Sequence, residues 1–148
     1  MTPYDLAARW VGVKEVADTS SNEDILRMLR IDADWPEGDH VPWCSAFINF
    51  IAWSFRLPRS KSLRARSWLL VGTPTQDPSP GFDIVIFKRG GGRQPGPDVI
   101  KAPGHVGFFA GFEGGKVLVL GGNQADAVNI SRYPKSRVLG YRRLRANK

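Results

Sequence analysis

The sequence is poor in the side chains that staple folds and carry imidazole chemistry. One cysteine stands among 148 residues, so no intramolecular disulfide can form. With two histidines, His40 and His105, any imidazole-based reaction has a short list of candidates. No apolar run approaches the ~20 residues of a membrane span, so stable membrane insertion is not expected. The opening stretch MTPYDLAARWVGVKEVADTS has no continuous apolar core of the kind a secretion signal needs. Synthesis as a soluble cytoplasmic chain is therefore expected, with another system delivering it if its substrate lies outside the membrane. There is no internal repeat. Residues 1–148 read as one domain, large enough to bury a core without disulfide or metal, and a monomer is expected.

What is present is positive charge, glycine and proline. The net charge of +7 implies an anionic partner or surface. The basic residues gather late, at Arg132, Lys135, Arg137, Arg142, Arg143, Arg145 and Lys148. Sixteen glycines and eleven prolines predict many turns and short elements. Thr2 and Pro3 mark a helix start, followed by Leu6, Ala7, Trp10 and Val11 at helical spacing. Ser21 and Asp24 resemble a capping box opening a second short helix with Ile25, Leu26, Met28 and Leu29. From Cys44 to about Phe55 the chain is apolar on nearly every side, which predicts a helix in the middle of the domain. A further short helix is expected over 62–70, and 73–81 reads as a turn region.

Beyond it the period becomes extended, predicting strands over 83–88, 105–110, 116–120, 127–132 and 138–144. Glu113-Gly114-Gly115 is a hairpin turn, Gly121-Gly122-Asn123-Gln124 is turn-forming, and RGGGRQPGPD is a polar surface loop. Helices first and strands after give an α+β fold, N-terminal helices packed on a C-terminal antiparallel sheet.

Cys44 follows Val41-Pro42-Trp43 and opens the most apolar helix. Partial positive charge at a helix start favours a thiolate, and the free N–H groups of the first turn suit an oxyanion. The plainer reading is a buried inert thiol, and position alone does not separate the two. His105 heads a strand between Gly104 and Gly107, where bare backbone permits close approach. His40 lies in an acidic loop and reads as a solvated histidine. Asn123 is the candidate to accept from the other ring nitrogen of His105, though it also suits a simple turn, and Gln124 is its nearest rival.

Together Trp43-Cys44-Ser45-Ala46-Phe47, Gly81-Phe82-Asp83-Ile84-Val85, Gly104-His105-Val106-Gly107 and Gly121-Gly122-Asn123-Gln124 resemble the CHAP and NlpC/P60 peptidases in type and order. Ala65-Arg66-Ser67-Trp68 and Asn129-Ile130-Ser131-Arg132-Tyr133-Pro134 are similar to the small bacterial and phage branch of that superfamily. The resemblance implies a papain-like fold and a peptidoglycan amidase or endopeptidase. It implies Cys44 as nucleophile, His105 as base, Asn123 as the residue orienting the imidazole, and Asp83 as a structural acid. The chain departs from the pattern at Gly81-Phe82-Asp83, where relatives more often have Gly-Asp.

Asp32, Asp34, Glu37 and Asp39 lack the ordered ligand series of a calcium loop, so neither metal nor cofactor is expected. Two rival functions remain. One is a basic module binding an anionic surface or nucleic acid, against which stands the lack of arginines interleaved with exposed aromatics. The other is an acyltransferase on the same fold, which the sequence does not separate from a hydrolase.

Overall fold

The computed structural model describes residues 1–12, 43–124 and 127–144. The helix expected at 21–29, the acidic loop, His40, Arg145 and Lys148 lie outside the described residues. The first helix, α1 (Pro3–Ala8), starts where Thr2 and Pro3 place it. Thr2 Oγ1 accepts from the Asp5 N–H at 3.2 Å, and the Asp5 carboxylate accepts from the Thr2 N–H at 2.8 Å. This reciprocal pair satisfies two N–H groups that a helix start leaves unpaired.

The central helix, α2 (Cys44–Ser54), begins at the cysteine and buries every residue through Asn49. It ends where Arg56 turns left-handed (φ 55°) and the Leu57 N–H reaches back to the Ala52 carbonyl at 3.0 Å. Two buried polar residues interrupt its apolar surface, and both are bonded. Ser45 Oγ donates to the Ser62 carbonyl at 2.6 Å and accepts from the Trp68 indole N–H at 2.9 Å. Asn49 Oδ1 accepts from the Lys61 N–H at 3.0 Å and from Arg59 at 3.2 Å. These bonds fasten the segment after α2 and the short helix beyond it, a 3₁₀ helix over Ala65–Leu70, to the buried helix. The short helix expected over 62–70 is thus present over Ala65–Leu70, with 3₁₀ winding.

Six strands form one sheet in the order β1-β6-β2-β3-β4-β5, with every neighbouring pair antiparallel. They are β1 (Thr73–Pro74), β2 (Asp83–Lys88), β3 (Gly104–Glu113), β4 (Lys116–Gln124), β5 (Ala127–Pro134) and β6 (Val138–Arg143). The sequence misses β1, because a two-residue strand containing proline carries no alternation. Proline is tolerated there because β1 is an edge.

The sheet is covered on both faces. Ile84, Ile86, Val106, Phe108 and Leu120 join Phe47, Ile48, Ile51 and Trp68 in the main core. Val85, Phe87, Phe109, Val117 and Val119 form a second cluster with Tyr133, Val138 and Tyr141. Successive side chains of β2 therefore serve different cores, which explains the unbroken apolar run DIVIFK.

One expectation is corrected here. Gly121-Gly122-Asn123-Gln124 is no turn; it is the last stretch of β4. Its glycines mark close approach instead of reversal. A Cβ on Gly122 would lie 2.6 Å from the Trp43 ring and 3.0 Å from Phe47 Cβ, so glycine is what lets α2 sit on the strand.

Asp83 opens β2 with a structural job. It is 1% exposed, and its carboxylate receives Arg143 Nε at 2.8 Å, Arg143 Nη2 at 2.9 Å and the Ser79 N–H at 2.8 Å. Arg143 is thereby committed to the fold, its charge paired with Asp83 although its side chain remains 40% exposed. Arg143→Gln should strand a buried carboxylate and cost about 3 kcal/mol. Urea denaturation reads the loss, and adding Asp83→Asn should recover part of it.

Candidate active site

Three elements converge at the ends of β2 and β3. Cys44, the first residue of α2, is 2% exposed and lines a cleft of about 240 Å³ with Leu63, Arg64, Arg89, Lys101 and Gly104. Its sulfur is influenced by the Val106, Ser45 and Cys44 backbone N–H groups and by the Arg89 charge, all of which favour the thiolate. Burial outweighs them and pushes the thiol up from its ordinary value. The helix start alone therefore does not make Cys44 a resting thiolate, contrary to the simple dipole expectation.

His105 stands opposite Phe87 in the β2–β3 register and is 4% exposed. Its ring lies 5.2 Å from the Tyr133 ring and 6.4 Å from the Phe87 ring, centroid to centroid. Its Nε2 is 2.9 Å from Gln124 Oε1. The roles in this contact follow from the other end of the amide. Gln124 Nε2 donates to the Asn129 carbonyl and to Asn129 Oδ1, each at 2.8 Å, and lies 3.3 Å from the Val119 carbonyl. With the amide hydrogens so engaged, Oε1 faces the ring as an acceptor. His105 Nε2 then carries the hydrogen, and Nδ1 keeps the lone pair needed by a base.

The Gln124 amide is itself held. Asn129 Nδ2 donates to the Gln124 carbonyl at 2.8 Å, and Ser131 Oγ donates to Asn129 Oδ1 at 2.6 Å. Gly121 is required beneath it, since a Cβ there would fall 2.9 Å from Gln124 Oε1. Asn129, Ser131 and Tyr133 alternate along β5 and so share one face. This period-2 signal for the support of Gln124 was available in the sequence and is easily read as ordinary strand patterning.

The structure thus joins His105 to Gln124. The Asn123 backbone runs in β4, while its side chain lies outside the described residues. Cys44 meets the same strand through the backbone of Val106, the residue after His105. Among the described residues, no hydrogen bond joins Cys44 Sγ to the His105 ring. Burial, partly opposed by the Gln124 bond, lowers the His105 pKa from 6.5 to about 4. At neutral pH the pair rests as thiol and neutral imidazole. The Tyr133 hydroxyl is pushed up to about 12, first by burial and then by its nearness to Cys44, so it stays protonated.

The low His105 value has a consequence for stability. Between pH 6.5 and about 4 the unfolded chain binds a proton that the folded chain refuses. The stability due to neutral His105 is complete above pH 6.5 and declines as pH falls toward 4, by roughly 3 kcal/mol in total. Denaturation curves at pH 7 and pH 4.5 should show a larger acid loss for the wild type than for His105→Gln. Equal losses would mean that His105 does not titrate as described.

Among the described residues no group of three or more His, Cys, Asp or Glu side chains is placed to hold a metal ion. No described helix is long and apolar enough to cross a membrane.

No family model matches this sequence, and no curated protein matches it. The fold, however, is similar to the solved structure of NlpC1 from Trichomonas vaginalis. That likeness extends over 96% of this chain with a TM-score of 0.54 and 15% sequence identity. The chain spans 42% of the length of that protein. At this identity the likeness speaks for the α+β fold with its antiparallel sheet.

Proposed function

We propose that the protein is a papain-like cysteine hydrolase that cleaves an amide bond in the peptide part of bacterial peptidoglycan. The observation that carries this reading is the placement of the sole cysteine. It begins a buried helix, opens on a cleft, and meets the backbone of the strand that carries His105, itself bonded to Gln124. An inert core thiol needs none of these. The NlpC-like fold and the order of the sequence motifs support the same reading.

In this mechanism His105 Nδ1 takes the Cys44 thiol proton as the sulfur attacks the scissile carbonyl carbon. Because both groups rest neutral, substrate must bring them into hydrogen-bond contact, as catalytic pairs often tighten only in the complex. The developing oxyanion is met by backbone N–H groups of the first turn of α2. The C–N bond breaks, the imidazolium at Nδ1 protonates the leaving amine, and a thioester remains on Cys44. Water then gives a proton to His105 as it attacks the thioester, the C–S bond breaks to release the acid, and His105 returns the proton to the Cys44 sulfur. Gln124 holds the Nε2 hydrogen throughout, filling the role that the sequence resemblance assigns to Asn123.

A turbidity assay on permeabilised Gram-negative cells tests the proposal. Wild-type protein should clear the suspension, and prior treatment with iodoacetamide should abolish clearing. Clearing that survives full alkylation of Cys44 would overturn the cysteine mechanism.

A further inference from the structure

Tyr133 enters no step of the proposed mechanism, yet it packs directly on the base. It stands on the edge strand β5, opposite Val117 of β4, while His105 stands on β3, opposite Phe87 of β2. The Tyr133 side chain therefore reaches past β4 to bring its ring 5.2 Å from the His105 ring and 4.8 Å from the Phe87 ring, centroid to centroid. The three planes are nearly parallel, at 30° between Tyr133 and His105, 29° between Tyr133 and Phe87, and 27° between Phe87 and His105. Planes so aligned at such distances are offset against one another, and Tyr133 is the neighbour that the other two share. Asn129 and Ser131, on the same face of β5, hold the Gln124 amide. One strand thus reaches His105 twice, through the amide at its Nε2 and through a ring beside it.

A single hydrogen bond fixes one point of a ring and leaves the ring free to pivot about it. The Gln124 bond at 2.9 Å sets Nε2, while Nδ1, across the ring, can still swing. A flat surface packed against the imidazole removes that freedom. From this arrangement we infer that Tyr133 is a positioning residue, whose ring braces His105 so that Nδ1 keeps the orientation in which it can take the Cys44 proton. The inference rests on the hydrolase reading and adds a residue to its machinery. The brace needs neither charge nor hydrogen bond, and the Tyr133 hydroxyl stays protonated. The same ring keeps water from the imidazole and so contributes to the burial that favours its neutral form.

Two substitutions separate the ring from its hydroxyl. Tyr133→Phe keeps the flat surface and should stay within about twofold of the wild-type kcat on a stem peptide. Tyr133→Leu removes that surface and should lower kcat about tenfold with KM nearly unchanged, the split expected when orientation alone is lost. The second readout needs no turnover. Proton NMR of the imidazole, with His105 assigned by its absence from His105→Gln, should be followed over the pH range in which circular dichroism reports a folded chain. The His105 pKa should lie about one unit higher in Tyr133→Leu than in the wild type, because water reaches the uncovered ring. It should be unchanged in Tyr133→Phe. Gln124 and Arg89, which also act on the His105 proton, are present in every variant, so their effects cancel in the comparison. If Tyr133→Leu does not fold, Tyr133→Met, apolar and of similar reach, takes its place. An imidazole that titrates in the Leu or Met variant as it does in the wild type overturns the inference. So does a Tyr133→Phe variant that loses as much rate as Tyr133→Leu, since the hydroxyl would then be the working group. Failure of the wild type to cut the peptide would count against the hydrolase reading and leave the titration to decide the Tyr133 brace.

Discussion

Cys44→Ser should keep the fold and lose hydrolysis by about 10⁴-fold or more, the scale on which removing a nucleophile acts. The serine hydroxyl fits the space of the thiol, so the surrounding core loses little. Far-UV circular dichroism and thermal midpoint should be close to wild type. What disappears is nucleophilicity. A thiol can be deprotonated by an imidazole at neutral pH, while a hydroxyl held at the same place lacks a strong enough base. His105 rests with a pKa of about 4 and is too weak a base to activate serine unaided. His105→Ala should be similarly inactive. Retention of more than a small fraction of the wild-type rate in Cys44→Ser would remove the cysteine from the mechanism.

Gln124→Ala should lower kcat by about a hundredfold with substrate affinity nearly unchanged, the signature of a bond that matters in the transition state. Without Oε1 at 2.9 Å the His105 ring loses the acceptor that fixes its tautomer. It would still sample the useful geometry part of the time, so the loss should be smaller than for Cys44 or His105. Gln124→Glu should not restore the wild-type rate, because the oxygen in place of Gln124 Nε2 would face the Asn129 carbonyl and Oδ1, acceptor against acceptors. Asn123→Ala is the paired measurement, and it should stay near wild-type activity. If Asn123→Ala is crippled and Gln124→Ala is active, the orienting residue is Asn123, as the sequence resemblance implies.

How far the sequence went can be followed through these residues. The start of α2 at Cys44 was legible because Pro42 breaks the chain and an all-round apolar stretch follows. Strand β2 was legible from an apolar run too short for a helix. The hairpin at Gly114 was legible too, and its φ of 60° is what glycine permits there. The end of β4 was misread, because two glycines suggest reversal when judged locally. Their cause is tertiary: Trp43 and Phe47 press on Gly122, and Gln124 folds over Gly121. That error bears directly on which amide is expected at His105. As part of the strand, this stretch brings the Gln124 amide to the His105 ring. The commitment of Arg143 to Asp83 was equally hidden. Its partner lies sixty positions away, and the sequence displays only a basic C-terminus.

The resting protonation of the pair was also beyond the sequence, since it depends on burial. A helix N-terminus argues for a thiolate, and a strand-head histidine argues for a base near neutrality. Burial moves both toward their neutral forms. In the proposed mechanism substrate therefore assembles the pair, with no standing ion pair, and the covalent intermediate is the decisive species.

That intermediate offers the most direct measurement. Wild-type protein mixed with a peptidoglycan stem peptide and quenched in acid within the first turnover should be analysed by mass spectrometry after digestion. The fragment containing Cys44 should carry the acyl portion of the peptide as a hydroxylamine-labile thioester, absent from Cys44→Ser. Turnover of the peptide by the wild type with no adduct on Cys44, and equal turnover by Cys44→Ser, would contradict the assignment.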